Sequence, residues 1–328
     1  MSIINCSIRL QFHPADRAIC ALLILAGGVG VIARDRPGVP ALLAAHLGLL
    51  AAYICCLLVA AKWNGARWLG WAHPLLAMTV IFTLYTACGR LGMAAMPWRA
   101  DAMLSRIDCA LFAGINPTFF IQRWQTPPRV EFFAFFYGLF IPYINLSLIL
   151  GALGRPPLER DQFLTGWVFT YCISYLGYLF LPSAGPGVLF ASHYATPLHG
   201  GLFYALVLRG VQSTGGLFGA FPSLHAGSSL YLCLFDLKTN RLRGMTYLPI
   251  VIMIYGATIM LRYHYVIDLL VGTAISASCV HFGRVVFLRW ARGRREAGLT
   301  ALPGGQDNVL PDLPDAGRGD IAAVLPKH

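Results

Sequence analysis

Apolar runs separated by short polar turns make up most of the chain, and eight of them approach the length of a membrane helix. They lie at 18–33, 40–61, 69–88, 130–153, 162–181, 222–237, 245–261 and 263–290. Roughly 20 residues at about 1.5 Å rise each cross a hydrocarbon layer about 30 Å thick. The first run is slightly short, which tilt or local bilayer thinning accommodates. Tryptophans in the 62–68 turn suit interface depth.

Two stretches break the alternation. In 89–129, Arg90, Arg99, Asp101, Arg106, Asp108, Arg123 and Arg129 are mixed with Leu104, Ile107, Leu111, Phe112 and Phe119–Ile121. That mixture predicts amphipathic helices lying in the interface, broken at Asn116-Pro117 and ended by Pro127-Pro128. The 182–220 loop holds eight glycines and one charge, Arg209, with a short helix expected over 202–208. The tail from 291 is rich in Gly, Pro and Asp and reads as disordered. The expected organisation is N-terminal membrane helices over 1–88, a membrane domain carrying the chemistry over 89–290, and a tail over 291–328.

Composition fixes the class. The chain is 57% hydrophobic and 12% charged, against about a quarter charged in soluble domains. Between Phe163 and Leu208 there is no Asp, Glu, Lys or Arg. The predicted fold is all-α, a polytopic transmembrane bundle of about six to eight spans with an interfacial amphipathic segment. The net charge of +11 is scattered between spans without a basic stripe, so nucleic acid is excluded as a partner and the membrane expected. Of nine cysteines, Cys20, Cys55, Cys56, Cys172, Cys233 and Cys279 sit in apolar runs and read as core residues. The N-terminus lacks a signal-peptide shape, so its first run is expected to be retained.

Arg155, Arg160, Lys238, Arg241, Arg243 and the Arg289–Arg295 cluster fall on one side of an eight-span path. The positive-inside rule makes that side cytoplasmic and turns the 182–221 loop and the 262–268 turn outward. The basic 89–129 segment lands on the outer side too, against the rule.

The candidate chemistry centres on Arg262-Tyr263-His264-Tyr265-Val266-Ile267-Asp268. On a helix His264 and Asp268 would share a face, and a carboxylate that fixes an imidazole tautomer leaves the other ring nitrogen nucleophilic. His225, in Phe221-Pro222-Ser223-Leu224-His225, opens the sixth span on the same side. The pair would face each other across a phosphate, His225 protonating the leaving oxygen. Pro222 is expected in the first turn of that helix. Arg262, Ser223, Gly185 of Pro182-Ser183-Ala184-Gly185-Pro186 and Arg209 are candidate phosphate contacts, and Ser223 is equally a helix cap.

These motifs resemble the type 2 phosphatidic acid phosphatase superfamily, and within it the inositolphosphotransferase (inositol phosphorylceramide synthase-like) branch. The carriers are Pro222-Ser223-Leu224-His225, His264-x-x-x-Asp268, the Arg262-Tyr263-His264-Tyr265 run, Ala184-Gly185-Pro186 and Asp108-Cys109-Ala110-Leu111-Phe112-Ala113-Gly114, within roughly 100–285. The resemblance implies His264 as nucleophile forming a phosphohistidine, Asp268 as its orienter and His225 as general acid. It departs from the family in lacking the first-motif lysine; the chain's lysines are Lys62, Lys238 and Lys327. Thr258 stands where the broader superfamily carries the third-motif arginine, and Gly187 where bacterial relatives often have one.

The expected activity is transfer of a phospho-headgroup from a phospholipid or polyprenyl-phosphate substrate. The alternatives are a lipid phosphate phosphatase on the same site and a non-catalytic lipid-binding or transport protein. Short loops point to a bacterial inner membrane with the site facing the periplasm. A metal site from His193, His199, His225 and His264 lacks HxxxH spacing and carboxylates, so no metal or cofactor is expected. His13, His46, His73, His193, His199 and His281 read as structural.

Overall fold

A computed structural model describes residues 12–62, 69–213 and 218–299. Among them every regular element is helical. The long helices are α1 (Pro14–Ile32), α2 (Val39–Lys62), α3 (Leu69–Ala95), α6 (Pro127–Leu153), α7 (Pro157–Phe180), α11 (Arg241–Met260) and α12 (Val266–Glu296). These seven are long and apolar enough to cross a membrane. An eighth, α10 (Leu224–Thr239), has 16 residues and packs between them on α7, α11 and α12. The short elements are α4 (Asp101–Leu111), α5 (Pro117–Phe120), a 3₁₀ turn (Ile121–Trp124), α8 (Pro186–Leu189), a second 3₁₀ turn (Ala191–His193) and α9 (Leu202–Ser213). The chain is thus a polytopic helical bundle, as its apolar periodicity predicts.

α7 is the central post: 72% of its most apolar window is buried, against 17% for α2, which faces outward. Its Trp167, Tyr175 and Tyr178 sit in the main core with Tyr231 of α10, Ile81 of α3 and Tyr143 of α6. Tyr hydroxyls there find partners, Tyr175 on the Ile81 carbonyl at 2.8 Å and Tyr231 on the Phe163 carbonyl at 2.8 Å. Residues such as Ile24, Ile32, Leu58, Ile141 and Ile252 point outward, as a lipid-facing surface requires.

Three N-terminal crossings follow from the way α3 meets α7. The Ala100 N–H donates to the Pro182 carbonyl at 2.9 Å, and Trp98 Nε1 donates to the Phe180 carbonyl at 3.0 Å. The ends of α3 and α7 therefore lie at the same face. So do the starts of α6, α10 and α12 and the end of α11, because each helix reverses the last. At the other face Asp236 joins Arg155 and Arg243, tying the starts of α7 and α11 to the end of α10.

The helices depart from the sequence-based boundaries at informative places. α3 continues to Ala95 rather than ending at 88. α10 starts at Leu224 behind its Ser223 cap, so Pro222 precedes the helix instead of opening it. α12 starts at Val266, so His264 is not helical. α12 also runs on to Glu296, into the expected tail, because Trp290, Ala291 and Arg294 are buried. The rest of that tail (300–328), residues 1–11 and the tryptophan-bearing 63–68 turn lie outside the described residues.

Candidate active site at the histidine pair

α10 and α12 approach each other backbone to backbone. A Cβ on Gly272 would stand 2.5 Å from the Ser223 carbonyl oxygen, and one on Gly227 would stand 3.1 Å from the Gly272 carbonyl oxygen. Glycine is required at the first position, and the second is tighter than ordinary contact. The Ser223 N–H donates to the Asp268 carbonyl at 3.1 Å. This crossing carries His225 and His264 to one point.

His264 is 4% exposed and bonded through both ring nitrogens. Nδ1 lies 2.8 Å from the Ala220 carbonyl oxygen and 3.3 Å from Asp268 Oδ2; Nε2 lies 3.2 Å from His225 Nδ1. A carbonyl and a carboxylate only accept, so in neutral His264 the proton sits on Nδ1 and the lone pair on Nε2. His225 Nδ1 must then be the donor to it. The His264–Asp268 contact arises without a helical turn between them. Tyr265 is the N-cap of α12, and Asp268 Oδ2 accepts the Tyr265 N–H at 2.9 Å, as in a capping box. At 3.2 Å the rings leave no room for phosphorus, so the two imidazoles must part to admit one. Tyr137 and Phe140 of α6 hold the His225 ring, with centroids 4.5 and 4.3 Å away, and Tyr263 stacks on Tyr137.

Two aspartates of the interfacial helix α4 assemble this corner. Asp101, Leu104, Ser105 and Asp108 form its buried face, at i, i+3, i+4 and i+7. Asp108 accepts the Val266 and Ile267 N–H groups at 2.8 and 2.9 Å, neutralising the open N-terminus of α12. Burial pushes the Asp108 carboxyl above its ordinary pKa, opposed by those two N–H donors. Asp101 accepts the Ala184 N–H at 3.1 Å, the Gly185 N–H at 2.8 Å and the Tyr265 hydroxyl at 3.2 Å. The Asp101 role escaped sequence reading, although its signal, a polar pair seven apart on a buried helix face, was present.

The expected phosphate contacts divide. Ser223 is fully buried, and its hydroxyl accepts the Ala226 N–H at 3.3 Å as the cap of α10. Gly185 adopts φ +89°, and a Cβ there would meet the Tyr263 carbonyl oxygen at 2.3 Å, so it is needed for the turn's shape. Arg262, with φ +62°, turns its guanidinium to Gln125 Oε1, to the Thr196 carbonyl at 3.2 Å and onto the Tyr194 ring at 3.6 Å. It anchors the third motif to the 3₁₀ turn region and to the long loop. Burial lowers its pKa, opposed by Tyr194 and Tyr204, yet an arginine stays cationic. Gly187 packs under it, its N–H on the Arg262 carbonyl at 2.8 Å. Thr258 is fully buried, and its carbonyl accepts the Tyr263 and His264 N–H groups. Arg209 is exposed on α9, away from the face that carries Tyr204, Val207 and Val211, and does not join the histidines. His193 and His199 are exposed. No three His, Cys, Asp or Glu side chains among the described residues are grouped to hold a metal ion.

A family profile described as the PAP2 superfamily matches residues 103–281, more than half of the chain, including His225, His264 and Asp268. A PA-phosphatase related-family protein of Dictyostelium discoideum is 30% identical over 186 residues, covering 52% of this chain and 34% of that protein. The chain therefore spans about a third of that relative's length. That relative is eukaryotic and lends nothing to the bacterial membrane expected from the short loops. No solved structure matches the chain.

Proposed function

The chain belongs to the PAP2 superfamily, and from that premise we propose that it is an integral-membrane enzyme transferring a phosphate-linked group of a lipid through His264. His264 Nε2 attacks phosphorus, forming a P–N bond as the P–O bond to the leaving group breaks. His225, as imidazolium, gives its Nδ1 proton to the departing oxygen. Asp268 and the Ala220 carbonyl hold the Nδ1 proton of His264 and stabilise the positive charge it gains. An acceptor hydroxyl then gives its proton to His225 and takes the phosphoryl group, freeing His264. The N-terminus of α10 presents backbone N–H groups and a positive dipole end to the phosphate oxygens, and Arg262 acts as a positioning residue.

The observation that carries this reading is the two-acceptor hold on His264 Nδ1, which leaves a buried Nε2 facing a second imidazole. An alcohol acceptor is favoured by the walls. His264 is 4% exposed, and the His225 ring beside it is walled by Tyr137 and Phe140, with Tyr263 against Tyr137, a setting poor in water. Resemblance to the inositolphosphotransferase branch supports a phosphoinositol headgroup as the transferred unit. The name of the Dictyostelium relative supports the second reading, hydrolysis with water as acceptor. The histidine face is taken as exoplasmic from the basic residues at the other end.

The test incubates the purified protein with phospholipids carrying labelled phosphate and separates free phosphate from new phosphorylated lipid. New lipid is expected, and acid-labile label on the protein after quenching. His264→Ala should abolish both, and a chelator should change neither. Turnover that survives His264→Ala would sink the mechanism.

A further inference from the structure

The face opposite the histidines carries a concave site. α12 begins beside His264, and Trp290 lies 24 residues beyond Val266, roughly 36 Å along the helix axis. There a cavity of about 540 Å³ opens between the start of α1, the middle of α7 and the end of α12. Its walls are Pro14, Arg17, Ala18, Phe169, Val286, Arg289, Trp290 and Gly293. The lining is divided by chemistry. Arg17 and Arg289 are exposed cations at the rim, one on each of two helices. Phe169, Ala18 and Val286 are apolar, and Val286 is 37% exposed on the outer surface of the bundle. Trp290 is buried, with an indole N–H that lacks a hydrogen-bond partner.

We propose that this cavity binds an anionic phospholipid of the leaflet on that face. Its phosphate sits between the Arg17 and Arg289 guanidiniums, and its acyl chain lies along Phe169 and Val286. Three observations select that occupant. Two arginines on separate helices bring positive charge to the rim, which favours an anionic headgroup. The apolar wall is continuous with the lipid-facing surface, so a chain can enter sideways. Trp290, packed on His13 and Phe287, closes the inner wall and gives the chain an aromatic floor. Bound there, the lipid bridges α1, α7 and α12, joining the N-terminal helices to the helix that carries Asp268. The site is independent of the reaction proposed at His264.

The test uses the full-length protein in nanodiscs of phosphatidylcholine with or without phosphatidylglycerol, read by native mass spectrometry of retained lipid. Wild type should hold phosphatidylglycerol in preference to phosphatidylcholine. At a few-fold to fivefold per surface charge, Arg17→Ala with Arg289→Ala should weaken retention roughly 20-fold. An added Cβ at Gly293 meets nothing within 4 Å, so Gly293→Leu fills the cavity without touching a charge and should displace the lipid. Arg241→Ala with Arg292→Ala removes the same charge elsewhere and should leave retention unchanged. Three results would each overturn the proposal: equal retention by the first pair, equal loss in the control pair, or equal holding of phosphatidylcholine. Full occupancy by soluble glycerol phosphate would do the same, because it would need no chain.

Discussion

Asp108 and Val266 lie 158 residues apart in the chain and are joined by a 2.8 Å hydrogen bond, carboxylate to backbone N–H. With the second bond to Ile267, the helix α4 thereby caps the helix that carries Asp268. Asp108→Asn keeps one acceptor and loses the second, leaving either the Val266 or the Ile267 N–H without its bond. Expected effects are a loss of about 1 kcal/mol of stability for the missing hydrogen bond and at least a tenfold loss of turnover. Burial raises the pKa of Asp108, so the folded state holds its proton more tightly than the unfolded one. Its contribution to stability is therefore full below the ordinary carboxylate range and is lost as pH rises through the raised value. Thermal unfolding of wild type and Asp108→Asn across pH 4–7 should show that downward step in the wild type alone.

The glycine contact between α10 and α12 sets the distance between the histidines. Gly272→Val places a side chain where 2.5 Å separates an added Cβ from the Ser223 carbonyl. The helices must part, and the His225–His264 contact opens with them. Turnover should fall by two orders of magnitude or more, with helix content by circular dichroism unchanged. Wild-type turnover in this variant would mean that the close crossing is irrelevant to the site.

His225 and His264 differ in what each should cost. Without His225 the leaving alkoxide has no proton donor, a loss of about 10²–10⁴ in rate. An aryl phosphate leaves without help, so His225→Ala should still label His264 with that substrate. His264→Ala should fail with both. Identical behaviour of the two variants on aryl phosphate would contradict the assigned roles.

Arg262 and Gln125 should act as one unit. Gln125 Oε1 accepts from the Arg262 guanidinium, and Gln125 Nε2 donates to the Met260 carbonyl at 2.8 Å. Gln125→Ala should therefore lower turnover nearly as much as Arg262→Lys, and the double variant little further. If Arg262 gripped the phosphate directly, Gln125→Ala would be mild and Arg262→Lys severe. Arg209→Ala, on the exposed side of α9, should leave turnover within twofold.

Most of the bundle was legible because membrane spans are written locally. A helix in lipid satisfies its own backbone, so an apolar run of sufficient length declares itself. Eight runs matched eight helices, and the mixed segment at 89–129 matched α4, α5 and the turn after it. The motif around His264 was legible too, since ionisable residues among apolar spans are few. The partners of that motif were not. Arg262 beside His264 read as a phosphate clamp, yet its long side chain turns to Gln125, 137 residues earlier in sequence. The i,i+4 spacing of His264 and Asp268 read as one helical face, yet the chain meets them through the cap turn before α12.

The sequence by itself determined the class, the spans, the interfacial segment and the identity of the histidine–aspartate motif, because each depends on residue type and spacing within one stretch. Tertiary structure alone decided that His225 Nδ1 lies against His264 Nε2, that Ala220 shares the His264 proton with Asp268, and that α4 supplies the carboxylates bracing the corner. Those are contacts between segments 39 to 164 residues apart. The histidine contact among them forms where Gly227 and Gly272 let α10 and α12 cross at backbone distance, a fact of packing that no local pattern records.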